Sequence, residues 1–201
     1  MRKDFMGTGK YRLTVIVAFA ALMIGDVSAP ATAASARVGG ELAGAAVPGI
    51  APSDPDESAV YLDADGRVMD MGRAKGLGAT REAAAFGCTP VSGRDNPHRS
   101  STGVAVSGHG WWNKGSCHND RARVYNCLYE WYTDNTWRQK ACSKPKVLKP
   151  GGGKSNRTVA RHDCRDTQRT SWRNHVDVDV IDEIDTPERP MNQADVDCRV
   201  Y

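Results

Sequence analysis

Aromatic rings and positive charges alternate along one segment of the chain, residues 125–142. If this segment folds into a hairpin, Tyr129 and Trp131 share a face, and Arg138 and Lys140 lie on the same face of the partner strand. Rings interleaved with cations can stack on sugars or bases and contact anions. The pattern therefore predicts that these four residues form the contact surface for a ligand.

The same rings have a structural alternative, because Leu, Ile and Phe are scarce after residue 88. Aromatic side chains then have to fill the core that aliphatic side chains usually fill. We expect three tryptophans to lie in the core, namely Trp111, Trp137 and Trp172. We expect the hairpin rings to be more exposed, namely Tyr129, Trp131 and Tyr132.

Histidine side chains offer a second kind of chemistry, which is acid and base catalysis. Small exported nucleases combine a histidine with a carboxylate and an arginine. His162 lies between Arg161 and Asp163, and His175 precedes Asp177 by two positions. No histidine lies in a metal-type spacing such as HExxH, and no Gly-x-Ser-x-Gly motif is present. Since isolated histidines are common on strands, we predict no catalytic residue, no metal and no cofactor.

Two further segments match a ligand-binding motif only in part. The acidic run Asp177–Asp185 could hold calcium, but a hard cation needs several oxygens converging from a bent loop. Pairing with Arg157, Arg161 and Arg173, or simple solvation, explains the run better. Gly153-Lys154-Ser155 matches the end of a phosphate-binding loop, but Leu148 occupies the position of the required glycine. We interpret this segment as a flexible hairpin loop.

The cysteines predict disulfide bonds and an oxidising compartment. Cys127 and Cys142 are placed symmetrically about Asp134-Asn135, two residues that tolerate a tight turn. Directly opposed strand residues are close enough for a disulfide, so we predict the bond Cys127–Cys142. In that register Tyr132 faces Trp137. For the other four cysteines we expect the bonds Cys88–Cys117 and Cys164–Cys198.

The N-terminus predicts export from the cell. Basic residues precede Leu13–Gly25, an apolar run that is too short for a membrane span. Small-x-small cleavage motifs follow at Ala31-Thr32-Ala33 and Ala34-Ser35-Ala36. We therefore assign residues 1–36 to a signal peptide and predict a secreted, extracellular protein with no membrane span.

Residues 37–87 do not show the pattern of a full domain. Residues 37–58 are rich in Gly, Ala and Pro and predict a flexible linker. Residues 59–87 predict a small hairpin, with its turn at Asp65-Gly66, followed by a short helix over Thr80–Gly87.

From Cys88 onward, short strands and turn residues predict an all-β domain over residues 88–201. The clearest strand is Ser171–Ile181, in which Val176, Val178 and Val180 point to one face. The strand spacing is typical of an antiparallel two-sheet sandwich, immunoglobulin-like or similar. The expected fold class is therefore mainly β, stapled by disulfides.

Charge is distributed unevenly along this domain. The segment Cys117–His175 carries 13 Lys or Arg and 5 Asp or Glu, whereas Val176–Tyr201 carries 2 and 8. Neighbouring strands of opposite charge can pair across a sheet, and we favour this explanation. The alternative is a basic surface for an anionic partner.

Five segments carry a resemblance to known proteins: CTPVSGRDNPHRSSTG, SGHGWW, CLYEWYTDNTWR, PGGGKSNRT and SWRNHVDVDVIDEIDTPE. They resemble a group of small exported proteins from high-GC Gram-positive bacteria. The resemblance covers roughly Cys88–Tyr201 and implies an exported β-rich domain. It implies no catalytic residue.

We therefore predict a secreted, monomeric, non-catalytic binding module for an extracellular polymer, such as a polysaccharide or another anionic polymer, or for a protein partner. One alternative is a small secreted hydrolase, such as a nuclease, that uses His162 or His175. Another is a secreted inhibitor or a toxin-like protein. The contact-surface hypothesis requires Tyr129 and Trp131 to be exposed.

Overall fold

Eleven strands and no helix make up the regular structure in the computed structural model, which describes residues 45–53, 59–71, 87–184 and 189–200. In chain order the strands are β1 (Val60–Leu62), β2 (Val68–Met69), β3 (Val91–Arg94), β4 (His98–Arg99), β5 (Ala105–Asn113), β6 (Ala122–Tyr132), β7 (Thr136–Cys142), β8 (Lys146–Leu148), β9 (Thr158–Asp163), β10 (Asp166–Val180) and β11 (Met191–Arg199). Within these ranges, no helix is long and apolar enough to cross a membrane.

The strands form two sheets. Sheet A has seven strands in the order β11-β10-β6-β7-β1-β2, with β8 also paired to β6. Sheet B is built around β5, which pairs with β3 and β4 along one edge and with β9 along the other. Every pairing between the described strands is antiparallel except that of β1 with β7. A mainly β fold with two sheets is therefore confirmed, and the parallel pair is a difference from the expected antiparallel pattern.

Apolar side chains at alternate strand positions fill the space between the sheets. Val176, Val178 and Val180 of β10 are buried on this face, as their alternation predicted, and they pack with Trp112 of β5. A second cluster, farther along the same strands, contains Val106, Leu128, Ala160, Trp172, Val196, Cys198 and Val200. Burying each large apolar side chain contributes about 1.5–3 kcal/mol, so these two clusters are the main source of stability between the sheets.

Polar side chains also cross between the sheets, at the glycines of β5. The Asn126 Nδ2 group donates to Gly108 O at 3.0 Å and to Asn174 Oδ1 at 2.9 Å. The Asn174 Nδ2 group donates to His109 O at 2.9 Å. A Cβ atom at Gly108 would lie 2.8 Å from Asn174 Cγ, so only glycine leaves room for this side chain. Because these buried amides have partners, the network favours one alignment of the two sheets.

All three predicted disulfides are confirmed: Cys88–Cys117, Cys127–Cys142 and Cys164–Cys198. The bond Cys127–Cys142 lies within sheet A, between β6 and β7. The bond Cys164–Cys198 connects the residue after β9 to β11, so it joins the two sheets. Together with the β fold these bonds are consistent with an oxidising, extracellular environment.

The turn of the β6–β7 hairpin differs from the prediction by one residue. Tyr132 pairs with Thr136, not with Trp137. Asn135 adopts a φ of 61° and donates its N–H to Tyr132 O at 3.1 Å. Asn accepts this left-handed conformation more readily than most residues, so the loop closes over residues 133–135.

A β-bulge restores the disulfide register. Lys140 is skipped in the pairing of β6 with β7, and beyond it Cys127 pairs with Cys142 as predicted. Between the bulge and the turn, the pairing is shifted by one residue, which moves side chains to the opposite face. Arg138 therefore lies opposite Glu130 and does not share the face of Tyr129.

The described part of the predicted linker packs against the domain. Gly49 donates its N–H to Trp131 O at 3.0 Å and accepts a bond from Ser171 N at 2.9 Å, so residues 45–53 are tied to β6 and β10. The predicted hairpin is present as β1 and β2, with a turn over residues 63–67. The predicted signal peptide, residues 1–36, lies outside the described residues, as does all of the predicted helix Thr80–Gly87 except its last residue.

Candidate functional site

The two rings that were predicted to contact a ligand are buried. Tyr129 is 2% exposed and Trp131 is 4% exposed, so the prediction of exposure is wrong. The reason is that Ala51, Tyr61 and Met69, from the N-terminal segment and the β1–β2 hairpin, pack over this face of sheet A. Rings that are buried to this extent cannot stack on a ligand, and we interpret them as core residues.

The other aromatic predictions have different outcomes. Trp137 and Trp172 are fully buried, as predicted. Tyr132 is also buried, although it was expected to be exposed. Trp111 is half-buried, although it was expected in the core. It lies on the outer face of sheet B, where β3 and the glycine loop before β9 cover only part of the ring.

Arg138 and Lys140, the predicted cationic contacts, are engaged within the hairpin. The guanidinium carbon of Arg138 lies 3.9 Å from the centre of the Tyr132 ring, and its Nη2 donates to Asp134 Oδ2 at 2.6 Å. The Lys140 Nζ group donates to the Tyr132 hydroxyl at 2.6 Å. These contacts follow from the one-residue shift, which places both cations on the face of Tyr132. The predicted set of two rings and two cations on one surface is not formed.

Lys140 also lies next to a buried carboxylate. The Glu130 Oε1 atom accepts bonds from Val200 N at 2.9 Å and from Thr170 Oγ1 at 3.1 Å. Its Oε2 atom has no hydrogen-bond partner among the described residues, but Lys140 Nζ is 3.8 Å away, so charge attraction alone joins the pair. Burial raises the pKa of Glu130 to about 7. This carboxyl therefore titrates close to neutral pH.

His175, one of the two candidate bases, is buried against Tyr61 of the β1–β2 hairpin. It is 8% exposed. Its Nδ1 donates to Arg189 O and its Nε2 accepts from the Tyr61 hydroxyl, both at 3.0 Å. Burial lowers the pKa of His175 to about 4, so the ring is neutral at pH 7 with both nitrogens occupied. Such a histidine fits a structural role better than proton transfer.

His162, the other candidate base, lies on β9 and has no carboxylate partner among the residues that the structure describes. Its Nδ1 atom is 2.9 Å from the main-chain oxygen of Asp163. The Asp163 carboxylate pairs instead with Arg161, at 3.4 Å. The combination of histidine, carboxylate and arginine that the sequence suggested is therefore not assembled around His162.

A small cavity of about 140 Å³ lies beside His175. Tyr125, Tyr129 and the disulfide Cys127–Cys142 line it, and the ion pair of Asp177 with Arg189, at 3.6 Å, lies at its polar side. Pockets for small-molecule ligands usually have volumes of about 300–1,000 Å³. This cavity is large enough for a few waters and is too small to be the main binding site.

Cross-strand ion pairs explain part of the uneven charge. Arg123 of β6 lies 3.3 Å from Asp179, its opposed residue on β10. Arg169 of β10 lies 3.5 Å from Asp197, its opposed residue on β11. Within the acidic run Asp177–Asp185, Asp179 pairs with Arg123 and Asp177 pairs with Arg189, whereas the sequence pointed to Arg157, Arg161 and Arg173.

The remaining positive charge is concentrated in one segment, which we call the basic segment. It spans residues 144–157 and contains no Asp or Glu. Its cations are Lys144, Lys146, Lys149, Lys154 and Arg157. The four lysines are exposed and Arg157 is half-buried. Within the described residues, the ion pairs involve other cations and none of these five.

The basic segment has a defined shape. β8 lies in its first half and, among the described strands, pairs with β6 alone, at the edge of sheet A. In its second half, Asn156 Nδ2 donates to Lys149 O at 2.6 Å and to Gly151 O at 2.7 Å. A Cβ atom at Gly152 would come within 3.0 Å of the Trp111 indole, so glycine lets this loop lie against the ring. The backbone that carries the five cations is therefore held in place before any ligand arrives.

A cluster of titratable side chains that the sequence did not reveal lies on sheet B. Three residues between β3 and β4, Asp95–Pro97, lie opposite two residues of β5, Gly108 and His109. The extra residue makes a β-bulge between β3 and β4. The Asp95 Oδ1 atom accepts the His109 N–H at 2.7 Å, in place of a main-chain acceptor. Its Oδ2 atom lies 2.5 Å from His109 Nδ1, and the His98 ring stacks on His109 with centroids 5.4 Å apart. Pro97, which interrupts the strand, was the one available sequence signal.

Comparisons of the chain with known protein families, with curated proteins and with solved structures find no match.

Proposed function

We propose that this chain is a secreted, non-catalytic binding module, built as an immunoglobulin-like or similar sandwich, for an anionic extracellular polymer. The basic segment is its contact surface. The observation that supports the proposal is that five cations lie within 14 residues, on an ordered backbone, without an acidic neighbour in sequence or an ion-pair partner among the described residues.

Unpaired cations on an ordered strand and loop suit a polyanion for two physical reasons. A polymer with closely spaced negative charges carries condensed counterions, and their release on binding favours the complex. Long lysine side chains bind such a chain without a fixed geometry, because an ammonium acts as a point charge with three donors. The expected binding is therefore strong at low salt, weak at high salt, and selective for charge density rather than for a particular monomer.

The proposal differs from the ring-based hypothesis in where the ligand lies. Tyr129 and Trp131 contribute to the core, and Arg138 and Lys140 have partners within the hairpin. A hydrolase is the less favoured alternative, because His175 is buried with both nitrogens bonded and His162 has no carboxylate partner in the described part of the chain.

The experiment compares two variants of equal charge. In the first, Lys146, Lys149 and Lys154 of the basic segment are replaced by Gln. In the second, the control, Arg67, Arg121 and Arg169 are replaced by Gln; these are exposed cations that each have an acidic partner within 4 Å. Binding to long-chain polyphosphate and to uncharged dextran is measured over a range of salt concentrations.

We expect the unmodified protein to bind polyphosphate and not dextran. The logarithm of its binding constant should fall linearly with the logarithm of salt concentration, and the basic-segment variant should have a slope shallower by about three. The control variant should keep most of the original slope. Equal losses in the two variants would show that only net charge matters, and shortening of the polyphosphate by the protein would contradict a non-catalytic role.

A further inference from the structure

The bulge between β3 and β4 brings together three side chains that can bind a metal ion. One donor atom from each of Asp95, His98 and His109 lies within 4.8 Å of the other two. Asp95 Oδ2 is 2.5 Å from His109 Nδ1 and 4.0 Å from His98 Nδ1. In a tetrahedral site with bonds of about 2.0–2.1 Å, ligand atoms are about 3.3 Å apart. The observed separations bracket this value, so small side-chain rotations would bring the donors to metal-binding distance.

From this geometry we propose that Asp95, His98 and His109 bind one divalent transition-metal ion, such as Zn²⁺. The ion would take the place of the proton between His109 Nδ1 and Asp95 Oδ2, and a ring nitrogen of His98 would complete the set. Two imidazoles and one carboxylate are a donor set that suits zinc, nickel and copper better than magnesium or calcium, which prefer oxygen.

Hydrogen bonds outside the cluster hold its members in position. The Asp95 main-chain oxygen accepts a bond from Asn174 Nδ2 of the opposite sheet, at 3.1 Å. His98 Nδ1 lies 2.8 Å from Asn96 O, so the His98 ring would bind the ion through Nδ1 only after rotating away from this contact. The cluster thus rests on both sheets, through the same asparagine that crosses between them.

The side chains are also accessible to an ion from solution. His98 is 44% exposed, Asp95 is 31% exposed and His109 is 12% exposed. Three protein ligands leave at least one coordination position for water or for an outside ligand. A bound ion here would add positive charge to the outer face of sheet B.

The described residues contain one other grouping of such side chains, Cys88, Cys117 and Glu183. The two cysteines are joined in a disulfide, so neither sulfur is a thiolate that could bind a metal. This contrast favours the histidine cluster as the metal site.

The test uses the exported protein without a histidine tag, with its disulfides intact, and measures Zn²⁺ binding by titration calorimetry. We expect one ion per chain. Replacing His98 by Ala removes a half-exposed side chain and should lower the affinity at least about 100-fold, since even outer partners of metal ligands contribute about 10–100-fold. The control is His162→Ala, which removes a histidine of the same sheet outside the cluster and should leave the affinity unchanged.

Asp95→Asn provides a second variant that keeps an oxygen acceptor for the His109 N–H and removes only the charge. It should also lose Zn²⁺ binding. Thermal unfolding supplies an independent readout, because an ion that binds only the folded state raises the unfolding midpoint. Zn²⁺ should raise the midpoint of the unmodified protein and of His162→Ala, but not of His98→Ala. Absence of Zn²⁺ binding, or equal binding by His98→Ala, would overturn the proposal.

Discussion

The β6–β7 hairpin and the basic segment are both rich in cations, yet they differ in what surrounds each charge. In the hairpin, Arg138 contacts Asp134 and Lys140 lies beside Glu130, and both touch the Tyr132 ring. In the basic segment, no acidic residue is near in sequence and the structure gives its cations no ion pair among the described residues. The hairpin therefore uses its charges for its own packing, whereas the basic segment has charges available for a partner.

The difference shows that residue types alone do not mark a binding surface. Both regions contribute strands to sheet A, and the hairpin has the richer pattern of rings and cations. The difference in exposure is caused by residues 45–53 and the β1–β2 hairpin, which pack over Tyr129 and Trp131 and bury them. The hairpin joins the sheet through the pairing of β1 with β7, so it does not cover the edge strand β8, which pairs with β6. Function follows from which surface remains accessible after packing.

The largest expected effect concerns Trp131. Because this ring is 4% exposed and packs against Trp137 with centroids 5.0 Å apart, Trp131→Ala should destabilise the protein by about 3–5 kcal/mol. Denaturant unfolding measures this loss. Val147→Ala is the control, because Val147 is 48% exposed and should change stability by less than about 0.5 kcal/mol. If Trp131→Ala were as stable as the unmodified protein but bound polymer more weakly, the hairpin would be the contact surface after all.

A second, somewhat smaller effect is expected from pH, through two buried groups with opposite shifts. Glu130 has a folded pKa of about 7 against 4.5 when unfolded, so the folded state holds its proton longer and stability falls as pH rises through this range. His175 has a folded pKa of about 4 against 6.5, so stability is lost as pH falls through that range. Between about pH 4.5 and 6.5 the two contributions oppose each other.

The pH prediction is tested by removing one group at a time. Each group alone changes the unfolding free energy by about 1.4 kcal/mol per pH unit within its range, which amounts to roughly 3 kcal/mol in total. Glu130→Gln should therefore show stability that rises with pH from about 4 to 6.5. His175→Gln should show stability that falls with pH from about 4.5 to 7. Equal pH profiles for the two variants would contradict the opposite shifts.

The smallest expected effect comes from comparing one lysine of each region, Lys140 of the hairpin and Lys146 of the basic segment. At pH 8, Lys140→Ala leaves the ionised Glu130 carboxylate without its cation and should cost about 1–3 kcal/mol of stability. Lys146→Ala should change stability by less than about 0.5 kcal/mol, because its side chain is exposed and has no described ion pair. Polyphosphate binding should respond in the opposite way, weakening with Lys146→Ala only. Weaker binding by Lys140→Ala would extend the contact surface into the hairpin.

The fold was largely predictable from local patterns. The valines of β10 alternate with polar residues over a long strand, and the symmetric cysteines of the hairpin gave the disulfide Cys127–Cys142. The exact hairpin register was not predictable, because a three-residue loop and a bulge at Lys140 shift the pairing in compensating ways. Because the two shifts cancel beyond the bulge, Cys127 still lies opposite Cys142. Between the bulge and the turn they do not cancel, so Arg138 and Lys140 lie on the opposite face of the sheet from the one predicted.

The candidate sites depended on contacts between segments far apart in sequence, which local patterns do not reveal. The burial of Tyr129 requires Tyr61 and Met69, more than 50 residues earlier. The pairing of Asp95 with His109 requires a bulge that is specified only by the register of β3, β4 and β5. By contrast, the basic segment is contiguous, and its lack of acidic residues can be read from the sequence. The structure adds that many of the other cations have ion-pair partners.

The three disulfide loops follow one another along the chain without overlapping: 88–117, 127–142 and 164–198. No disulfide therefore spans the basic segment, which carries four exposed lysines, a residue type that trypsin-like proteases recognise. A single cut there divides the molecule into two separate chains, the first with two disulfides and the second with one. The pairings of β6 with β10 and of β5 with β9, the shared core and hydrogen bonds such as that of Asn126 with Asn174 then hold the two pieces together without a covalent link.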